Sequence, residues 1–326
     1  MEYVRLGRTG LLVSEVTLGT MTFGNEADEA MSRRIMDAAI ERGINFFDGA
    51  HNYNRGATEE IIGRWMGGKR DDIILASKIF FPSGGNRNDE GISRRNIIRA
   101  CETSLKRLQT DYIDLMYLHH WDESVPIEDS LAALNTLAEQ GKIHYAGVSN
   151  FSAWQTMKAI GEARFRGLCP IAVTQPMYSL VKRQVEVEIF PLAEHERLAV
   201  VPYNAMGAGL LTGKYLSGGA GRLTETEMYR QRYSQPGYVA VAERFVAHAR
   251  ERGVSPAALA MAWVMAHPLV TSTLFGARNL EQFNDTLGCL DIRLSGEERA
   301  TIAAFSPEPP LATDREPMAA MRTRGW

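Results

Sequence analysis

Short apolar runs alternate along the chain with longer stretches in which apolar residues return every three to four positions, the pattern of strands followed by amphipathic helices. Residues 16–19 form the first run. A helix follows over about 28–43, with Asp28 suited to cap its start and Gly43 to its left-handed stop. Residues 44–47 precede a helix entered near Thr58, with Glu59 and Glu60 in its first turn. Residues 73–76 precede a helix over 93–108, and 113–118 one entered near Pro126 and closed at Gly141. Residues 143–148 lead to a helix after Ser152, and 171–173 to one over about 185–196. Residues 198–201 end in a long loop before Ser255, where Pro256 at the first helical position marks another helix. Residues 270–275 are the last strand-like run, with a helix opening near Asn279.

That order gives eight strand–helix units, which implies parallel pairing and favours closure into a (β/α)8 barrel, the TIM barrel of the α/β class. An open doubly wound sheet is the alternative, but no G-x-G-x-x-G follows any strand. Three segments fall outside the units. Gly7, Thr9 and Gly10 between short apolar stretches predict an N-terminal β-hairpin over 3–17. Residues 204–236 are too long for a plain βα connection, and loops of that length are usually functional. Ser295 and Glu298 form a capping box that opens an extra helix to about Phe305. No internal repeat is visible, so one domain over 1–326 is expected, with a loosely ordered tail from about 307.

Composition removes several classes of function. The apolar fraction of 45% suffices for a large core, and the net charge of −3 leaves no electrostatic footprint for nucleic acid or an anionic membrane. No run of about 18 apolar residues occurs, and the first residues lack the basic and apolar regions of a signal peptide. Cys101, Cys169 and Cys289 are scattered, so they read as reduced thiols in a cytoplasmic protein, with no metal site.

The chemistry of a parallel barrel sits at the C-terminal ends of its strands. Those ends carry Asp48 with Tyr53 close behind, then Lys78, His119 and His120, Ser149 and Asn150, Gln175, and Tyr203. An acid, a tyrosine, a lysine and a histidine can therefore meet on one rim. A free tyrosine titrates near 10, and a lysine cation beside it favours the phenolate. Asp48 can hold Lys78, while His119 can orient a carbonyl or extend a proton relay. Tyr53 as general acid suits carbonyl reduction. Any one of these residues alone is as readily structural; together they point to a site.

At these residues the sequence resembles the aldo-keto reductases over nearly its whole length. The opening at 5–10 and 16–19, the segment 47–53 with 58–60, and 111–119 resemble family motifs, as do 141–151, 202–203 with 209–215, and 276–279. The resemblance implies a catalytic tetrad of Asp48, Tyr53, Lys78 and His119, and a nicotinamide cofactor. Ser149, Asn150 and Gln175 would hold the carboxamide, with Tyr203 stacked on the ring. The segment around Met206, Gly207 and Leu210, with Lys214 and Arg222, would grip the pyrophosphate. Gly276, Arg278, Gln282 and Asp285 would meet the adenosine end. A guanidinium matches phosphate oxygens bidentately, so Arg278 favours NADP(H) over NAD(H). Candidate substrate-pocket residues are Phe23, Phe80, His120, Trp121 and Tyr229, whereas Trp65, Trp154 and Trp263 fall within helices as packing residues.

The sequence departs from the family pattern at Gly49 and His51, at His120 where arginine is common, and at Thr286 where asparagine usually contacts adenine. The expectation is an NADP(H)-dependent oxidoreductase interconverting an aldehyde or ketone and an alcohol, with no nucleic-acid or membrane partner. Two alternatives stand beside it: a nucleotide-sensing subunit resembling potassium-channel β-subunits, and a Schiff-base barrel enzyme using Lys78. Substrate, preferred direction and oligomeric state are not legible.

Overall fold

A computed structural model describes residues 1–311 and 313. A two-stranded antiparallel hairpin, β1 (Tyr3–Arg5) and β2 (Leu12–Ser14), comes first. The alternation predicted from the sequence follows: β3 (Val16–Gly19), α1 (Glu29–Glu41), β4 (Phe46–Asp48), α2 (Ala57–Met66), β5 (Ile74–Ile79) and α3 (Arg94–Leu108). Then come β6 (Ile113–Leu118), α4 (Ile127–Glu139), β7 (Ile143–Ser149), α5 (Ala153–Arg166), β8 (Ile171–Gln175), α6 (Ile189–Glu196) and β9 (Ala199–Val200). Past β9, two 3-10 turns and the short helices α7 (Arg222–Glu225) and α8 (Glu227–Arg232) occupy the segment read as a functional loop. The chain continues through α9 (Tyr238–Glu251), α10 (Pro256–Met265), β10 (Thr273–Phe275), α11 (Leu280–Leu287) and α12 (Gly296–Ala303).

Helix starts are set by the residues that cap them. The side chains of Asp28, Ser93, Ser152, Ser255, Asn279 and Ser295 each accept a backbone N–H of the first turn, and Ser152 and Ser295 complete capping boxes with Gln155 and Glu298. Helix α9 was not anticipated, although Tyr238, Val241, Ala242, Phe245, Val246 and Ala249 form a buried stripe at helical spacing. The tail expected from about 307 lies, at 312 and 314–326, outside the described residues.

Strands β3 to β10 form one parallel sheet in the order β10-β3-β4-β5-β6-β7-β8-β9. The outer strands meet as well: the Leu274 amide donates to the Pro202 carbonyl at 3.0 Å and that of Thr271 to Val200 at 2.8 Å, curling the sheet into a (β/α)8 barrel. Side chains alternate across each strand. Phe46, Ala76, Leu115, Tyr117, Val173, Ala199 and Val201 fill the interior, while Leu6 and Val13 of the hairpin plug its N-terminal end. The opposite parity, including Leu18, Phe47, Leu75, Ile79, Met116, Val148 and Val200, packs against the helices. Among the described residues, no helix is long and apolar enough to cross a membrane.

Interior space is filled closely enough to make one glycine indispensable. A Cβ on Gly147 would lie 2.7 Å from two ring carbons of the fully buried Tyr117. Gly147→Ala is therefore expected to destabilise the protein by about 1–3 kcal/mol, read as a lower urea midpoint at unchanged slope. An unchanged midpoint would mean that Tyr117 can move aside freely.

Candidate active site

The interior parity that places Phe46, Ala76 and Tyr117 in the barrel also turns Asp48, Lys78 and His119 inward at its C-terminal end. Lys78 and Asp48 form a buried ion pair, with side-chain exposures of 1% and 2%. The Lys78 ammonium also donates to the Gly49 carbonyl at 2.7 Å and to the Tyr53 hydroxyl at 3.3 Å. The second oxygen of Asp48 accepts from Gln175 Nε2 at 2.8 Å. Burial acts against the Lys78 charge, but Asp48 and Tyr53 outweigh it and hold its pKa above the usual lysine value.

The His119 ring stands edge-on to Tyr53, 6.2 Å between centroids. Burial, then Lys78, depress its pKa well below the ordinary imidazole value, so it is neutral at pH 7. Its Nδ1 is buried without a partner among the described residues. The tyrosine corrects an expectation. Lys78 does pull the Tyr53 pKa down, but burial is the larger effect and the phenol ends above its usual value. Tyr53 is thus a protonated group poised to donate, with the lysine limiting how far its pKa rises.

Tyr53 is presented by a turn with three successive left-handed residues, Asn54, Arg55 and Gly56, at φ of 47°, 57° and 97°. Asn54 suits its place because its amide donates to the carbonyls of Met21 at 3.0 Å and Phe23 at 2.7 Å. Gly56 suits its place because its φ of 97° disfavours any residue with a Cβ, and an added Cβ would also push aside the Arg107 guanidinium, 2.2 Å away. Arg107 in turn donates to the His51 carbonyl at 2.8 Å and pairs with the buried Glu59 at 3.4 Å.

From Tyr53 and His119 an open cleft of about 870 Å3 runs along the rim to α11, within the size range of cofactor sites. Asp48, Tyr53, His119, Ser149, Asn150, Gln175 and Tyr203 line one end; Lys78 lies beneath, reached through Asp48 and Tyr53. Here Tyr203 donates to Asn150 Oδ1 at 2.6 Å, Asn150 Nδ2 donates to the His119 carbonyl at 2.9 Å, and Ser149 donates to the Gln175 carbonyl at 2.9 Å. The predicted Asn150 and Gln175 amides therefore engage protein partners. Met206, Lys214, Arg222, Gly276, Arg278, Gln282, Asp285 and Thr286 line the remainder, whereas Gly207 and Leu210 lie buried behind it.

Among the described residues Lys214 and Arg222 have no carboxylate partner, and glycines make room for the lysine: a Cβ on Gly221 would be 2.4 Å from its Nζ and one on Gly209 2.8 Å from its Cε. Arg278 pairs with Glu26 at 3.4 Å, a neighbour the sequence did not reveal. Cations without carboxylate partners beside a long cleft, a tyrosine lining one end and tight glycine backbone fit a dinucleotide with its phosphates.

The predicted substrate side changes most. His120 and Tyr229 line the cleft, but Phe23, Phe80 and Trp121 do not. Phe23 is fully buried, its carbonyl bound by Asn54 and Thr58. Phe80 packs on Phe81 and His120, and Trp121 edges against Phe151 and Trp154. Phe81, Met21, Met228 and Arg232 line the cleft instead. Phe81 follows directly on the predicted Phe80; continued alternation from Lys78 would favour Phe80, so the chain leaves strand periodicity past Ile79 and nothing local marked Phe81. His51 turns from the cleft, its Nε2 2.7 Å from the Phe81 carbonyl, and is held neutral with a pKa of about 4 mainly by burial.

A model described as the Aldo/keto reductase family matches residues 15–307. The chain is 39% identical to "Uncharacterized oxidoreductase YrpG" of Bacillus subtilis, over 95% of this chain and 97% of that protein. It is 36% identical to "Protein tas" of Escherichia coli, over 93% and 97% respectively. It is also 35% identical to a "Probable voltage-gated potassium channel subunit beta" of Arabidopsis thaliana, over 90% and 92%.

Proposed function

The chain belongs to the aldo/keto reductase family, and from that premise we propose that it is an NADP(H)-dependent oxidoreductase that interconverts a carbonyl compound and its alcohol. The observation that carries this reading is the chain of contacts from Asp48 through Lys78 to the Tyr53 hydroxyl, with neutral His119 opposite. When bound, the reduced nicotinamide supplies a hydride to the carbonyl carbon. Tyr53 donates a proton to the carbonyl oxygen, so that carbonyl, hydride and proton together make the alcohol. His119 orients the carbonyl oxygen toward Tyr53 by a ring N–H. Lys78 and Asp48 position the phenol and tune its acidity.

Ser149, Asn150 and Gln175 are the groups we assign to the carboxamide, Tyr203 to the ring face, and Met206, Gly207, Leu210, Lys214 and Arg222 to the pyrophosphate segment. Gly276, Gln282 and Asp285 are assigned to the adenosine end, and Arg278 to the 2′-phosphate, which must displace Glu26 from it. Asn150 and Gln175 have their protein partners to exchange. His120 and Tyr229 remain as pocket residues.

A fluorescence titration with NADPH and NADH, followed by a panel of aldehydes and ketones, tests the reading. Binding of NADPH with turnover supports it; absence of binding overturns it. Arg278→Ala is expected to weaken NADPH roughly 10- to 100-fold, the scale of hydrogen bonds to a charged group, and NADH far less. Equal losses would remove the 2′-phosphate role. The identity shared with the Arabidopsis channel subunit favours a second reading, a nucleotide-sensing partner subunit. NADPH binding without turnover of any carbonyl would select it.

A further inference from the structure

We infer that the carbonyl substrate carries an oxyanion, a carboxylate or a phosphate, and that Arg232 binds it. This inference rests on the reductase reading. Arg232 ends α8 and lines the same cleft as Tyr53, His119 and Tyr203. Its neighbour Tyr233 is anchored by its hydroxyl, 3.7 Å from Met177 Sδ, and Met177 bridges to Tyr203 through the backbone. Arg232 is therefore tied to the Tyr203 end of the cleft. Its guanidinium lies 5.5 Å from the ring centre of Tyr229, a cleft-lining ring that Arg222 also approaches, at 5.6 Å. The Arg232 charge is in turn felt at Tyr203.

Among the described residues no carboxylate neutralises this arginine. Among the same residues its one hydrogen-bond contact is Met228 Sδ at 4.0 Å. The carboxylate on its own helix, Glu227, is taken by Arg230 at 2.7 Å and Gln231 at 2.9 Å. Lys214, Arg222 and Arg278 are the cations assigned above to the cofactor phosphates, which leaves Arg232 as the cleft-lining cation with no anion assigned to it. A half-buried guanidinium backed by an aromatic ring is a fork for a planar carboxylate or for phosphate oxygens. Held there, the anion would direct the carbonyl at the other end of a short substrate toward Tyr53 and His119.

The experiment compares matched aldehydes with purified protein and NADPH: 4-oxobutanoate against its methyl ester, and glyceraldehyde 3-phosphate against glyceraldehyde. The wild type is expected to prefer the anionic member of at least one pair in kcat/KM, and the pair tells carboxylate from phosphate. R232Q is expected to lower that preference roughly 10- to 100-fold, mainly through KM, and R232K to restore part of it. A wild type that favours the neutral member of both pairs, or a preference untouched by R232Q, overturns the inference and leaves the reductase reading standing. R232Q that weakens NADPH binding by the same factor also overturns it, placing the arginine on the cofactor. No turnover of any member, with turnover elsewhere in the wider carbonyl panel, overturns the inference alone; NADPH binding with no turnover across that whole panel removes the reductase reading, and the substrate class with it.

Discussion

Replacing Tyr53 by phenylalanine is expected to lower kcat for carbonyl reduction roughly 100- to 10,000-fold, the range contributed by a positioned general acid, while the NADPH dissociation constant changes little. The ring remains to pack against His119 and the turn over 53–56 is unaffected, so only the transferable proton is removed. The pH profile carries a second part of the same expectation. Burial holds the Tyr53 phenol above its usual value, so it stays protonated through neutral pH and loses its proton only in alkali. Reduction should therefore be flat across neutral pH and decline at the alkaline limb, whereas alcohol oxidation, which needs the phenolate, should rise there. His119, depressed far below the ordinary imidazole range, adds no inflection near pH 6.5. Rapid-mixing measurement of a single turnover, with stopped-flow detection of NADPH, isolates the step. A Tyr53→Phe enzyme at wild-type rate would remove the tyrosine from proton transfer.

Much of this arrangement follows from periodicity alone. The period of two fixes that Asp48 shares the face of Phe46, and that Lys78 shares the face of Ala76, so a strand-end reading brings those side chains to one rim without any contact information. Capping residues marked most helix starts for an equally local reason, since a Ser, Asp or Asn side chain satisfies an N–H a few positions ahead. Helix α9 is legible in the same terms, through its buried stripe from Tyr238 to Ala249, although Gly237 gives its start no side-chain cap.

What escaped the sequence depends on pairs distant along the chain. The ion pair between Arg278 and Glu26 joins residues from opposite ends, and nothing local predicts it. Aromatic residues at the rim were equally opaque: the direction of Phe23, Phe80 and Trp121 is decided by which helices and loops cover them. The turn over 53–56 directs the Phe23 carbonyl to Asn54 and sends its ring inward, while Phe81 takes the cleft. The Tyr53 pKa went the other way for the same reason. A lysine neighbour is visible from strand register, but the depth of burial that outweighs it is a property of the assembled barrel.

The Lys78 and Asp48 pair is expected to give the largest stability effect in the site. Lys78→Met would leave the Asp48 carboxylate buried with Gln175 as its remaining side-chain donor, and removal of one partner of a buried pair costs about 3–5 kcal/mol. Asp48→Asn should cost a comparable amount, because the buried Lys78 charge would lose its counter-charge and keep only neutral acceptors, the Gly49 carbonyl and the Tyr53 hydroxyl beside the new amide oxygen. The double variant buries neither charge, so its loss should fall well short of the sum of the single losses, a coupling read directly from urea unfolding of the four proteins. Activity should separate from stability in the same set. The double variant is expected to regain much of the stability and none of the turnover, since the cation that tempers Tyr53 is absent from it. Additive losses would mean that water relieves each unpaired charge and that the pair is not closed from solvent. A double variant that regained turnover along with stability would instead reduce Lys78 and Asp48 to a structural pair.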